Sequence, residues 1–365
     1  MLMVNASNLY VGGGVQVGIS VLKEFFELNV NFIAAVSPVI YAQIADDLKE
    51  KCFLIEKSPS GLFNVASRRM LDILVAEWNV KKVFTVFGPS YWTPKKVEHT
   101  VGFALPWLIY DKKYIFRKLK LKQKIKHLIL QFIQPFYFRK NADKIIAETE
   151  DARLKCSSVV GFPIDKVFCI PNALNAKFYQ ESNPSENIKK ALPLKNKGDV
   201  WLLTIAHNYP HKNLDVIAEL LKLLPSNFKF VLTISDEFLK DLQGVDRSRL
   251  VFLGSVNVED CSYLYKVSDA MFLPTLLECF SASYIEAAYM RKPIFTSDLS
   301  FAHTICKDGA FYFDPYSAMD ISRVIKKAFS EPRLIEDKCQ KMVRVYEGIP
   351  SASERACLYL KVIDV

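Results

Sequence analysis

Short apolar runs recur along this chain, and the stretches between them carry the apolar spacing of helices. The runs lie at 31–36, 82–87, 143–149, 200–206, 228–235, 249–256, 270–274 and 293–296, rich in Val, Ile, Leu and Phe. Strands alternating with helices form βαβ units, so the expected class is α/β with parallel sheets. Ligands of such sheets lie beyond the carboxyl ends of the strands, and the turns that follow the runs are therefore where chemistry is sought.

The turn after 270–274 is the most informative of these. Ala270-Met271-Phe272-Leu273-Pro274 reads as a short buried strand, and 281–290 reads as a helix opened by small hydroxyl residues. A helix N-terminus presents unpaired N–H groups and a positive dipole end, so it accepts anions such as phosphates. Glu278 stands before that end and Glu286 about a turn and a half inside it. Carboxylates beside an anion site have a use when they accept hydrogen bonds from hydroxyls, which is the chemistry of a nucleotide sugar. The plainer alternative is two glutamates serving only the helix and its solvent.

Two other strand-to-helix turns have related chemistry. Near the start, Gly12-Gly13-Gly14 separates a short apolar beginning from a helix-like stretch at 19–28, so the backbone there comes close to whatever a helix N-terminus holds. The glycines match neither G-x-G-x-x-G nor the P-loop, which speaks against NAD or ATP, and a tight turn needing positive φ is the alternative. After 200–206 comes His207-Asn208-Tyr209-Pro210-His211-Lys212, then an amphipathic helix at 215–224. Lys212 at a helix start is a compact charge suited to a diphosphate.

Glu278 and Glu286 form an E-x7-E pair, preceded by Leu273-Pro274-Thr275 and followed by Lys292-Pro293-Ile294-Phe295-Thr296-Ser297-Asp298. In this context the chain resembles the retaining glycosyltransferases of family 4. The resemblance implies the GT-B fold, two Rossmann-like domains facing a central cleft. It also implies an enzyme moving a sugar from a nucleotide sugar to a glycan or lipid-linked acceptor in polysaccharide or lipopolysaccharide synthesis. Under it Glu286 accepts from the ribose hydroxyls, Glu278 contacts the donor sugar, and the N–H groups of Phe280, Ser281 and Ala282 meet the diphosphate. Lys212 clasps the same diphosphate, with His207 where many members have arginine; histidine is mostly neutral near pH 7, whereas arginine is always charged. The Gly254-Ser255 turn lies near the base, and Gly13 and Gly14 approach the donor phosphate and the acceptor. Glu278, Lys212 and His207 are thus the expected catalytic set.

The resemblance extends to Ile170-Pro171-Asn172-Ala173, like the junction before the second domain, and to the late strand at Phe313-Asp314-Pro315. The expected domains are 1–172 on the acceptor side, 173–349 for the nucleotide sugar, and a helix in 350–365 packing back on the first. No D-x-D occurs, so transfer is expected to need no metal and no cofactor beyond the donor. A nucleotide-sugar 2-epimerase of the same fold and a binding protein without catalysis are the rival readings.

Segment 112–142 holds ten Lys or Arg and no acidic residue, interleaved with bulky apolar side chains. This pattern fits a surface that meets anionic lipid, or a helix whose apolar face packs on the first domain. Nucleic acid is not expected, since its binding motifs are missing. Half the residues are hydrophobic, 24% are charged and the net charge is +9, a globular composition with an acidic partner implied. Eight scattered cysteines without a C-x-x-C pair fit reduced thiols, and the opening residues lack the pattern of a secretion signal. The expected location is cytoplasmic, peripheral on the inner face of the membrane if 112–142 touches lipid. His99 is expected either to orient the acceptor or to be structural.

Overall fold

The computed structural model describes residues 1–61, 63–180, 183–241 and 245–365. The chain divides into two compact units, one made of 1–111, 120–175 and 350–365, the other of 112–119 and 176–349. Each is a Rossmann-like α/β layer structure with an all-parallel sheet.

In the first unit the strands are β1 (Leu2–Ala6), β2 (Phe32–Val36), β3 (Cys52–Leu54), β4 (Lys82–Thr85), β5 (Glu98–Phe103), β6 (Lys144–Ala147) and β7 (Val167–Cys169). Their order is β3-β2-β1-β4-β5-β6-β7. Alternation along β1 separates two cores. Leu2, Val4 and Ala6 join Val21, Leu22 and Phe25 of the helix Gly13–Glu27, together with Tyr359 and Ile363 of the helix Ala352–Ile363. Met3 points the other way and joins Ile33, Val83 and, from the helix Val65–Glu77, Leu71 and Leu74.

The second unit holds β8 (Val200–Thr204), β9 (Phe228–Leu232), β10 (Leu250–Phe252), β11 (Ala270–Leu273), β12 (Ile294–Ser297) and β13 (Phe311–Phe313), in the order β10-β9-β8-β11-β12-β13. Leu202, Phe230, Phe272 and Phe295 form its core with Ile217, Leu220, Ile321 and Ile325 from the helices Val216–Leu223 and Ala318–Ser330. In both sheets the order reverses at one place, between β1 and β4 and between β8 and β11. The connections leave opposite faces there, and a crevice opens at the carboxyl ends of those strands.

Three further stretches show how local residues set helix boundaries. The stretch 38–51 forms two short helices, Pro38–Tyr41 and Asp46–Lys49. Asp46 and Asp47 favour a first helical turn, where they face the positive dipole end, so a new helix starts at them. Between β7 and β8 along the chain lies the short helix Glu186–Ala191, capped by the Ser185 hydroxyl. Asp260 fixes that cap, accepting from Ser185 N at 2.7 Å and Oγ at 2.9 Å. Segment 112–142 is two helices rather than one, Lys113–Lys118 and Leu121–Asn141. The first is part of the second unit, where Lys118 Nζ donates to Asp215 Oδ2 at 2.5 Å and to Asn213 Oδ1 at 3.2 Å.

His99 is a structural residue. It lies on β5, 1% exposed, with Nδ1 2.6 Å from the Asn141 carbonyl oxygen and Nε2 2.7 Å from Thr85 Oγ1. The carbonyl only accepts, so Nδ1 carries the proton and Nε2 accepts from Thr85, whose oxygen accepts in turn from Asn5 Nδ2 at 3.3 Å. Both ring nitrogens are occupied, which leaves none for an acceptor sugar. Burial lowers the imidazole from 6.5 to about 4. The unfolded chain thus binds the proton first, so stability is full above pH 6.5 and is lost as the pH falls through 4. Across that window wild type is expected to lose about 3 kcal/mol more than His99→Gln, measured by urea unfolding at stepped pH.

Candidate functional site

The reversal between β8 and β11 brings two sequence-distant loops together. From β8 the chain runs through His207 into the short 3-10 turn Pro210–Lys212; from β11 it runs through Thr275 and Glu278 into the helix Ala282–Tyr289. Leu276 N donates to His211 O at 2.7 Å and Thr275 Oγ1 to the same oxygen at 3.2 Å, stitching one loop to the other. Lys212 and Glu278 meet across that seam as an ion pair. Their side chains are only 14% and 11% exposed, so each charge depends on the other for compensation.

Asn213 sets the angle at which Lys212 leaves its turn. It adopts the left-handed conformation, φ 54°, which asparagine tolerates better than most residues. Its amide donates to Pro315 O at 2.8 Å, and its Oδ1 accepts from Lys118.

Ser281 caps the helix Ala282–Tyr289 with extended backbone and makes no side-chain cap bond, so the cap side chain satisfies none of the first-turn N–H groups. Phe280 is half-buried, Ser281 buried and Ala282 exposed. No acidic residue occupies the first turn, which keeps that end receptive to an anion. One and a half turns in, Glu286 is held by the buried Tyr265, whose hydroxyl lies 3.0 Å from Glu286 Oε2 and 3.2 Å from Ser283 O. Burial pushes the Glu286 carboxyl up from 4.5 to about 7, with the Tyr265 hydrogen bond pulling the other way. At neutral pH this group sits near half-protonation, and any hydroxyl that donates to it favours the ionised form.

Gly254 follows β10 with φ 67°, and Gly254 N donates to Ile234 O at 3.1 Å. Ser255 beside it is exposed. His207 is exposed as well; its ring lies 5.5 Å from that of Tyr209, and among the described residues it bonds to neither Lys212 nor Glu278.

In the first unit, at the reversal between β1 and β4, Gly13 and Gly14 belong to the first turn of the helix Gly13–Glu27, where a loop was expected. The positive φ, 68°, belongs to Gly12, which caps that helix without a side chain. Among the described residues, nothing beyond its chain neighbours and its own helix backbone lies within 4 Å of where a Cβ on Gly13 would stand, whereas one on Gly14 would touch Leu9 and Phe87.

Among the described residues no three His, Cys, Asp or Glu side chains are grouped to hold a metal ion, and no helix is long and apolar enough to cross a membrane. Among the described residues no disulfide joins any of the eight cysteines. Three supporting residues escaped the sequence reading. Tyr265 has no motif linking it to Glu286, twenty-one residues away. Thr275 acts through long-range contacts, while Asn213, placed directly after Lys212, carries a readable turn preference.

The family described as Glycosyl transferases group 1 matches residues 185–345. The serotype-specific mannosyltransferase WbdA of Escherichia coli is 24% identical over 213 residues, 54% of this chain and 26% of that protein, so the match spans about a quarter of its length. Among solved structures, WaaG, a glycosyltransferase involved in lipopolysaccharide biosynthesis, superposes with a TM-score of 0.73 at 14% identity, covering 99% of both chains. Anabaena HepE, solved in complex with UDP and glucose, superposes at 0.72 with 12% identity, over 100% of this chain and 99% of its own. These likenesses show the fold, which is GT-B.

Proposed function

We propose retaining transfer of a sugar from a nucleotide-sugar donor to a glycan or lipid-linked acceptor, a reading supported by the match of residues 185–345 to the group 1 glycosyl transferases. The observation that carries this reading is the Lys212–Glu278 pair beside an uncapped helix start, with Glu286 one and a half turns inside. A diphosphate needs the N–H groups and the ammonium, a ribose needs a carboxylate, and a sugar needs a second carboxylate between them. That HepE is solved with UDP and glucose supports such a donor. The mannosyl transfer named for WbdA and the lipopolysaccharide synthesis named for WaaG support a cell-surface polysaccharide as the product's setting.

In the proposed step the bond from the sugar's anomeric carbon to the phosphate oxygen breaks as the acceptor oxygen bonds on the same face. The acceptor proton passes to the departing diphosphate. Negative charge grows on that leaving group, and Lys212 with the N–H groups of Phe280, Ser281 and Ala282 stabilises it where it develops. Lys212 is released from Glu278 for this role as the diphosphate arrives, which frees Glu278 for the sugar hydroxyls. Gly254 and Ser255 flank the base, His207 lies at the outer edge of the diphosphate, and Gly13 and Gly14 serve the acceptor side.

Incubation of the full chain with a panel of labelled UDP-, GDP- and ADP-sugars tests the reading. The expected result is selective binding of one donor, slow hydrolysis without acceptor, and loss of both in Glu286→Ala. Binding without hydrolysis or transfer would leave a donor-binding protein, and release of the C2 epimer without acceptor would identify an epimerase. Either outcome overturns the transferase.

A further inference from the structure

The helix Leu121–Asn141 has its faces reversed relative to an ordinary surface helix. Pro135, Phe138 and Asn141 are its buried side. The opposite side carries Leu121, Ile125, Leu128, Phe132 and Phe136 at intervals of four, three, four and four residues, with Ile129 and Ile133 alongside, and all seven are exposed. Phe132 is 77% exposed and Leu121 71%. At 3.6 residues per turn these positions form one continuous stripe facing away from the unit that holds the helix. One apolar side of the helix, with Pro135 and Phe138, does pack on the first unit, as one of the two readings of the sequence has it, but this second apolar side is left outside that packing. A stripe of this kind exposed to water marks an interaction surface.

Charge says what covers it. Lys126 borders one edge of the stripe and Lys124 the other, Lys122 and Lys140 stand near its two ends along the axis, and the helix holds no acidic residue. The geometry points to an anionic bilayer surface as the occupant, with the helix lying in the interface plane, Phe132 at the centre of the immersed face and the lysines at the level of the headgroup phosphates. A second copy of the chain is a poor alternative, because a two-fold contact on this stripe sets lysines against lysines. Nucleic acid fits no better, since its phosphates would meet a wide apolar centre. The inference stands on this helix alone and is independent of the donor site.

Co-sedimentation of the full chain with phosphatidylcholine vesicles, with and without phosphatidylglycerol, tests it. Wild type is expected to partition onto the anionic vesicles, less so at high salt, and to stay in solution with phosphatidylcholine alone. The double variant Leu128→Ser/Phe132→Ser is expected to bind about tenfold more weakly or less. Each of Lys122→Gln, Lys124→Gln and Lys126→Gln is expected to lower partition about fivefold. All these positions are exposed, so circular dichroism should be unchanged and donor binding without vesicles should equal wild type. Wild type left in the supernatant with phosphatidylglycerol, equal binding to both vesicles, or variants that bind as wild type does would overturn the proposal. So would a dimer in sedimentation velocity that Phe132→Ser dissociates.

Discussion

Lys212→Ala is expected to lower the melting temperature and the transfer rate together, and adding Glu278→Gln is expected to restore only the first. Removing the ammonium leaves Glu278 nearly enclosed with no opposite charge. An uncompensated charge of that kind costs about 3 kcal/mol, far more than a surface pair would. A neutral glutamine removes the stranded charge, so the double variant should recover most of the loss in thermal unfolding. Turnover behaves otherwise, because the role proposed for Lys212 is with the leaving diphosphate. Both the single and the double variant should be slower by about 100- to 1,000-fold. Glu278→Ala alone should destabilise less, since a lysine's flexible stem lets its charge turn to water. Recovery of turnover in the double variant would show that Lys212 matters only as a partner for Glu278.

Glu286→Gln is expected to move stability and donor affinity in opposite directions. The folded-state pKa of about 7 lies above the ordinary 4.5, so between those values the folded protein binds more protons than the unfolded one. Stability from this group is full below pH 4.5 and declines as the pH rises to 7, by about 3 kcal/mol once ionisation is complete. Glutamine cannot ionise. Without donor, the variant should therefore melt several degrees above wild type at pH 8 and together with it at pH 4.5. Donor affinity should fall by about ten- to a hundredfold in the same variant, as hydrogen bonds to a carboxylate are lost. In wild type, affinity should strengthen as the pH rises through 7. Calorimetric titration with donor and melts across pH check both arms; parallel melting curves would contradict the buried-carboxylate account.

Lys212, Glu278 and Glu286 could be read from the sequence because strand, turn and helix are local, and the physics of a helix start needs only the adjacent residues. The partners that tune them were not readable for the opposite reason. Tyr265 reaches Glu286 from a different helix, and the Thr275–His211 seam exists only because β8 and β11 are neighbours. His99 was ambiguous while its strand was hidden: Glu98-His99-Thr100-Val101-Gly102-Phe103 has too little continuous apolar character to announce a central strand. Burial against Thr85 and the Asn141 carbonyl then settles its role. The helix Leu121–Asn141 is a third kind of case. Its residues are apolar on both sides, so periodicity reveals a helix without telling which side meets protein.

The helix Ala352–Ile363 is a working part of the unit that begins at Met1. Its Arg355 is 1% exposed, bonds Asn172, and donates to Ser20 Oγ at 2.7 Å, while Tyr359 packs on Phe84 with ring centroids 5.2 Å apart. On the ribosome, the 174 residues of 176–349 are made before this helix appears, so for that interval the face covered by the helix Gly13–Glu27 lacks its second cover. The second unit's contiguous bulk has no such wait. Completion order is therefore expected to run against synthesis order, and a fragment cut at 349 is expected to behave as an unfinished fold.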